Sequence, residues 1–433
     1  MKKYTAIVIG AGSRGNAYAA NMKKWPDKFQ IVGVAEPIKA RREKMRDMFS
    51  LSDDACYPGY QEILQQPKMA DIAIITTMDA LHTEPALKAI ELGYHLLLEK
   101  PVAPTPEECI AIAKAAEKKG VAVLVCHVLR YTPFYKTVKR LIMDGVLGDI
   151  QSVMAVEGVG NIHQSHSYVR GDWHREDETN PMLLAKCCHD LDIIQWLLDR
   201  PCKKVSSFGK LSYFTPENAP EGAPKRCFGN ECPARESCPY SCEKVYLSEK
   251  SVVWMQRHAA RGFTKEHNPT LPEIEEGLKN TNFGACVFHA DNTVVDHQVV
   301  NMEFAGGVTA SLTMNAFNEG GRYIRVFGTK GELYANARDT EITVYSFETG
   351  EKTVYSTVKT DESITGGHGG GDGGIVRELY EYLGGDYTGF TAADIDISVR
   401  NHLIGFAAEK ARHEDTVENL DDYFARYGLK NDR

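Results

Sequence analysis

The chain has no excess of basic charge. Its 433 residues carry 50 Lys and Arg against 59 Asp and Glu, a net charge of −9, whereas a nucleic-acid or anionic-membrane partner would require a basic face. Long apolar runs are missing too, with nothing near the roughly 20 residues a membrane span needs. The opening MKKYTAIVIGAG begins a strand at once, leaving no room for the apolar core of a secretory signal. Cysteine is present but without a framework pattern. Eleven of them, an odd number scattered over a long chain, fit free thiols in a reducing compartment. Repeats and low-complexity tracts are absent. What is left is a folded cytoplasmic enzyme of about two to three domains, with no nucleic-acid or membrane partner.

The first third reads as a nucleotide-binding unit. AIVIGAGSRGNAYAANM runs an apolar strand into Gly10, Gly12 and Gly15 and then a small-residue helix. Such a loop needs glycine for a tight turn, for close approach to a pyrophosphate, and for close helix–strand packing. The phosphates then sit on the helix N-terminus, beside Ser13 and Arg14. A second strand, FQIVGVAEP, ends at Glu36, where an acid accepts hydrogen bonds from a ribose diol and repels a 2′-phosphate. NAD is therefore expected over NADP, with Lys39, Arg41 and Arg42 just beyond to soften the preference. ADIAIITTM, HLLLEKP and VAVLVCHVLRY are further strands. Between them lie helices such as TPEECIAIAKAAEKKG, with Thr105 as N-cap and Gly120 as its stop. This alternation predicts a doubly wound parallel sheet whose ligands bind beyond the strand ends.

Glu99-Lys100-Pro101 at one such strand end resembles the EKP signature of the Gfo/Idh/MocA oxidoreductases. TTMDALH (76–82), HVLRYTPFYKTVKRLIMDGVLGDI (127–150), HDLDIIQWLL (189–198) and RVFGTKGEL (325–333) extend the resemblance over most of the chain. It implies an N-terminal Rossmann domain, residues 1–130, and a C-terminal α/β domain with an open, mainly antiparallel sheet, residues 131–433, interrupted by an insertion near 213–280. It also implies a homo-oligomer, dimer or tetramer, and NAD(P)-dependent chemistry on a hydroxyl of a sugar or cyclitol. The cofactor residues would be Gly10, Gly12, Ser13, Arg14, Gly15, Glu36, Thr76, Thr77, His82, Glu99 and Lys100, with Glu99 placing the nicotinamide ribose. Lys100 would handle the hydroxyl proton, its pKa lowered by desolvation.

In the second domain HQSHSYVRGDWHRE is polar and aromatic, and Tyr168, Arg170, Trp173 and His174 suit a sugar site. Arg130 and His368 complete the expected substrate contacts. LLAKCCHDLDIIQWLL (183–198) reads as a helix. His189 is the second member of the proton-handling pair, and Lys186 lies at i,i−3 from it. Relatives commonly carry an Asp four residues before this His; here Ala185 stands there. The added Lys186 points to an anionic substrate such as a sugar acid, or to another proton-transfer scheme.

Three further stretches carry reactive side chains. Cys227, Cys232, Cys238 and Cys242, spaced C-x4-C-x5-C-x3-C, suffice in number for a structural zinc, against the alternative of free or partly oxidised thiols. CVFHADNTVVDHQVVNMEF alternates as strands would, which would set His289, Asp291 and His297 on one face. GGHGGGDGG (366–374) reads as a lid or lining loop bringing His368 and Asp372 to the cleft, with a linker as the alternative. Two functions follow: an NAD-dependent oxidoreductase on a sugar, sugar acid or cyclitol, or an NAD-dependent glycosidase working by transient C3 oxidation and elimination.

Overall fold

A computed structural model describes residues 2–264, 268–339, 341–357 and 370–432. The first sheet has six parallel strands: β1 Tyr4–Ile9, β2 Phe29–Ala35, β3 Cys56–Tyr57, β4 Ile72–Ile75, β5 His95–Leu98 and β6 Val123–Val125. Their spatial order is β3-β2-β1-β4-β5-β6, a Rossmann arrangement whose direction of winding reverses beside β1. The strands are almost wholly apolar because helices cover both faces. Helix α1, Ser13–Lys23, leaves β1 through the glycine loop, and α2, Lys39–Phe49, follows β2. Helix α3, Pro106–Lys119, is capped as its sequence requires: the Thr105 side chain accepts from the Glu108 N–H, and Gly120 closes it at φ 69°.

The second sheet has nine strands: β7 Ile150–Gly158, β8 Cys202–Lys210, β9 His297–Phe304, β10 Thr309–Asn315, β11 Gly321–Gly328, β12 Gly331–Asn336, β13 Glu341–Ser346, β14 Lys352–Ser356 and β15 Glu418–Asn419. The order is β14-β13-β12-β11-β7-β10-β9-β8-β15, antiparallel throughout except for β7 beside β10. The chain is thus α/β in both halves. The inner face of this sheet packs on helix α5, Cys188–Leu198, and on helix α7, Ile395–Glu414; the short helix α4, Met182–Ala185, comes just before α5. Apolar side chains from both sheets join one continuous core, which includes Ile75, Leu98, Leu191, Val300 and Leu403. The register places Met154, Phe208, Tyr334 and Val354 on the outer face, all of them exposed.

The described part of the glycine run, 370–374, is packed. Helix α6, Gly371–Gly384, packs on α1 and on the turn after β6. A Cβ at Gly371 would meet the Val128 carbonyl at 2.2 Å and one at Gly374 would meet Tyr131 at 2.8 Å, so the glycines permit close packing. His368 lies outside the described residues. The stretch from Cys286 to Asp296 alternates but is a loop, and only His297 onward is strand. His289 meets the Ala223 carbonyl, Asp291 meets His174, and His297 meets Asp296, so the three share no face. No helix among the described residues is long and apolar enough to cross a membrane.

Candidate active site

The glycine loop has the shape a dinucleotide needs. Gly10 sits at φ 92°, and a Cβ there would fall 2.6 Å from the Thr76 carbonyl oxygen; one at Gly15 would fall 2.1 Å from the Gly10 oxygen. Gly12 instead faces open space, with only Arg41 within 4 Å, and α1 begins at exposed Ser13 without a side-chain cap. Its first N–H groups therefore face that opening, as anion binding requires. Glu36 is buried at the end of β2, where one oxygen accepts from Ala11 N at 2.7 Å and the other from Ile38 N at 2.9 Å. A carboxylate has about four lone-pair sites, so Glu36 can shape the loop and still accept from a ribose.

Several expected cofactor contacts brace this loop. The Thr76 hydroxyl donates to the Gly10 carbonyl at 2.6 Å, and Thr77 donates to Leu81. Buried His82 joins the Pro101 and Thr77 carbonyls through its two ring nitrogens. Glu99 accepts from Arg14 at 2.6 Å, from the Tyr18 hydroxyl at 2.7 Å and from Lys100 N at 2.8 Å. The other edge of Arg14 grips Asp372, at 2.7 and 2.9 Å. Burial works to raise the Glu99 carboxyl, but Arg14 and Lys100 outweigh it and hold the group ionised below its ordinary range. This network fixes the turn that aims Lys100.

Lys100 itself is half-buried and donates to the Ala185 carbonyl at 2.8 Å. That acceptor exists because the predicted helix over 183–198 is broken. Helix α4 stops at Ala185, Cys187 leaves helical geometry at φ −90° and ψ 3°, and α5 restarts at Cys188; the last carbonyls of a helix lack partners within it. The break also places Lys100 beside the start of α5, where His189 is buried. Burial works to lower the Lys100 pKa, as the sequence suggests, but Cys188, Glu99 and Asp79 outweigh it and the net direction is upward. The Cys188 thiol is itself pushed up to about 12, so the charged groups that favour the Lys100 ammonium near neutrality are Glu99 and Asp79. The net direction is opposite to the lowered pKa that the sequence suggests. Asp79 is held in place by the Trp173 indole N–H at 3.0 Å.

Beside His189 other histidine rings pack edge-on. The ring of His127 meets it edge-on at 5.9 Å and meets His402 at 5.7 Å. His127 is fully buried with no hydrogen bond at either nitrogen, and burial holds it neutral, well below its usual pKa. Sequence reading passed over this residue because one strand-end histidine carries no spacing signal.

Lys186 points to a partner the sequence did not reveal. It lies 3.4 Å from Glu157 on β7; Arg322 on β11 reaches Glu157 and Asp190, each at 2.8 Å. Glu157 and Arg322 come from adjacent paired strands, so their meeting depends on sheet register. Burial holds the Glu157 carboxyl above its ordinary range although both cations oppose it. The added positive charge is thus answered, and an anionic substrate is no longer required to explain it. Tyr168 is buried, its ring 5.9 Å from His163 and 6.4 Å from Trp173, on a π-helical turn, Gln164–Arg170, a form frequent at functional sites.

Other expected contacts are committed elsewhere. Arg130 is 2% exposed, with Nε and Nη2 on the two Asp192 oxygens at 2.7 Å and Nη1 toward the Ala392 carbonyl, which makes it a buried brace between the domains. Arg170 is also 2% exposed and donates to the Ala285 and Tyr240 carbonyls. The four insertion cysteines do not form a zinc site. Among the described residues no group of three or more His, Cys, Asp or Glu could hold a metal. The Cys242 N–H donates to Cys227 Sγ, while the Cys242 thiol turns to the Phe283 carbonyl. Cys227, Cys232 and Cys238 border an apolar cavity of about 20 Å³, room for roughly one water. All eleven cysteines are free.

Residues 4–127 match the family described as an oxidoreductase family with an NAD-binding Rossmann fold, and residues 139–394 match its C-terminal alpha/beta domain. YteT of Bacillus subtilis (strain 168), named as an oxidoreductase, is 24% identical over 383 residues, 83% of this chain and 84% of its own. The 2,7-anhydro-N-acetylneuraminate hydratase of Escherichia coli (strain K12) is 28% identical over 206 residues, 47% of this chain and 51% of its own. The WlbA dehydrogenase of Bordetella pertussis, solved with NADH and UDP-GlcNAcA, shares the fold at TM-score 0.65 and 15% identity, over 97% of this chain and 98% of that one. With both family regions matched in order over a loop that fits a dinucleotide, the chain belongs to the Gfo/Idh/MocA family of NAD(P)-dependent oxidoreductases.

Proposed function

We propose that this protein oxidises or reduces a hydroxyl of a sugar, sugar acid or cyclitol, with NAD preferred to NADP because buried Glu36 closes β2. The bound dinucleotide supplies the hydride acceptor or donor. The observation that carries the reading is the Lys100 ammonium, held by the Ala185 carbonyl at the break before α5, the helix that bears His189. An ammonium so held donates to the substrate oxygen and stabilises the negative charge that develops there as the hydroxyl proton leaves in oxidation, or as hydride reaches the carbonyl carbon in reduction. It does not act as the base; His189 takes the hydroxyl proton in oxidation and returns it in reduction. Lys186, Glu157, Arg322 and Asp190 alternate donors and acceptors nearby, which suits hydroxyl groups that are both. The exposed apolar outer face of the second sheet supports a homo-oligomer.

A second reading is catalysis with no net redox change, as in an NAD-dependent glycosidase. The E. coli relative named a hydratase favours it, since adding or removing water leaves no net oxidation. Incubation with sugars, cyclitols, sugar acids and nitrophenyl glycosides, with and without NAD, separates the two. NADH formed in proportion to product supports the dehydrogenase. Aglycone release without net NADH replaces it with the second reading.

A further inference from the structure

Asp372 stands 358 positions from Arg14 in the chain, yet both of its oxygens accept from that guanidinium, at 2.7 and 2.9 Å. An acid in the first turn of a helix ordinarily answers the partial positive charge of the N-terminus, and Asp372 is so placed on α6. Its surroundings give it a further duty. The side chain is 1% exposed, and the helix that carries it covers the first sheet. Ile375, Val376 and Leu379 of α6 pack into one core with Val8 of β1, Ile74 of β4 and Leu97 of β5. Glycine permits that approach, since a Cβ at Gly371 or Gly374 would collide with Val128 or Tyr131.

Arg14 passes this contact on. Its Nη1 and Nη2 take the two oxygens of Asp372, Nη2 also reaches the Tyr18 hydroxyl, and Nε takes one oxygen of Glu99 at 2.6 Å. Tyr18 donates to that same Glu99 oxygen at 2.7 Å, and the other Glu99 oxygen accepts from the Lys100 N–H at 2.8 Å. A guanidinium is a rigid planar fork, so seating one edge on Asp372 sets the direction in which Nε meets Glu99. Arg14 is thereby committed to two carboxylates, although the sequence placed it among the cofactor contacts. The line of contacts ends at the backbone of Lys100, whose side chain is aimed at the Ala185 carbonyl. Loss of the Asp372 charge would release one edge of the fork and with it the orientation of Glu99.

We propose that Asp372 is a positioning residue for Lys100, acting through Arg14 and Glu99, so that the C-terminal part of the chain completes the reacting end of the first domain. The inference rests on the proposed role of Lys100. It makes Asp372 matter to the rate, because a displacement of about 1 Å in a reacting group costs on the order of 100-fold. A residue that only stabilised the start of α6 would change melting and leave turnover alone.

The test is a double-variant cycle on the full-length protein: Asp372→Asn, Glu99→Gln and the two together, with Asp372→Ser alongside should the isosteric variant not fold. Thermal melting reports folding, and kcat, KM and NADH affinity are measured with the best substrate of the panel. Asp372→Asn is expected to lower kcat by about 10- to 100-fold, with KM and NADH affinity within about 3-fold of wild type. The double variant is expected to lose no more than Glu99→Gln alone, because both residues act along one line of contacts. Asp386→Asn, exposed just beyond α6, is expected to behave as wild type. Folded Asp372 variants with wild-type kcat, a loss confined to NADH affinity, or losses that add in the double variant overturn the positioning role. If Lys100→Met is inactive in the same assay, that failure is of this inference alone. Normal turnover by Lys100→Met, or none by the wild type, overturns the Lys100 reading and this inference with it.

Discussion

Lys100→Met is expected to lower kcat by about 10³-fold while leaving NADH affinity within a few-fold of wild type. The ammonium is already paired with the Ala185 carbonyl, and Glu99 and Asp79 hold its pKa up. Removing it deletes the donor aimed at the substrate oxygen and leaves the glycine loop untouched. Methionine keeps the length of the side chain, so the loss reports charge and not a cavity. His189→Asn should lower kcat as well, by removing the group that takes the hydroxyl proton. Steady-state kinetics, with fluorescence titration of NADH, check both. A Lys100→Met enzyme with normal turnover would contradict the site.

Stability is expected to fall steeply on mild acidification. His127, His166 and His402 are buried and neutral; burial holds His166 at about 2 and His402 at about 3, with His127 also well below its usual value. Folded-state values depressed in this way mean that the unfolded chain takes up protons as pH falls through about 6.5 while the folded one does not. The stabilisation is complete above that pH and is lost below it. Each such group removes about 1.4 kcal/mol per pH unit, so three remove about 4, a large part of a typical stability of 5–15 kcal/mol. Burial raises Asp192 and Glu157, which act in the opposite direction. Urea midpoints at pH 7, 6 and 5 should drop in sequence. A flat profile over that range would show that the buried imidazoles accept protons in place.

The legible parts of the sequence were those set by local chemistry. Gly10, Gly12 and Gly15 after an apolar strand, Thr105 and Gly120 at the ends of α3, and Glu36 closing β2 all act within a few residues of themselves. Where the outcome depended on distant partners, the sequence was silent or misleading. Apolar spacing continues unbroken through 183–198, yet the backbone stops at Ala185, and that stop creates the acceptor for Lys100. Lys186 looked like an uncompensated charge because Glu157 and Arg322 are brought to it only by the pairing of β7 with β11. Arg130 and Arg170 have the chemistry of substrate ligands, but burial against Asp192 and against main-chain carbonyls spends it. Asp372 was expected on a lid or lining loop; it reaches Arg14, beside the glycine loop, from a packed helix.

The most direct test of hydride chemistry at this site is an isotope transfer. The best substrate from the panel, deuterated at the reacting carbon, is turned over with NAD and the recovered NADH is examined by mass spectrometry and NMR. The expected result is one deuterium at C4 of nicotinamide, with a slowed chemical step, in wild type, and the same label formed about 10³-fold more slowly in Lys100→Met. Product formed with the deuterium lost to solvent, or NADH formed without it, would contradict hydride transfer between this substrate carbon and the nicotinamide.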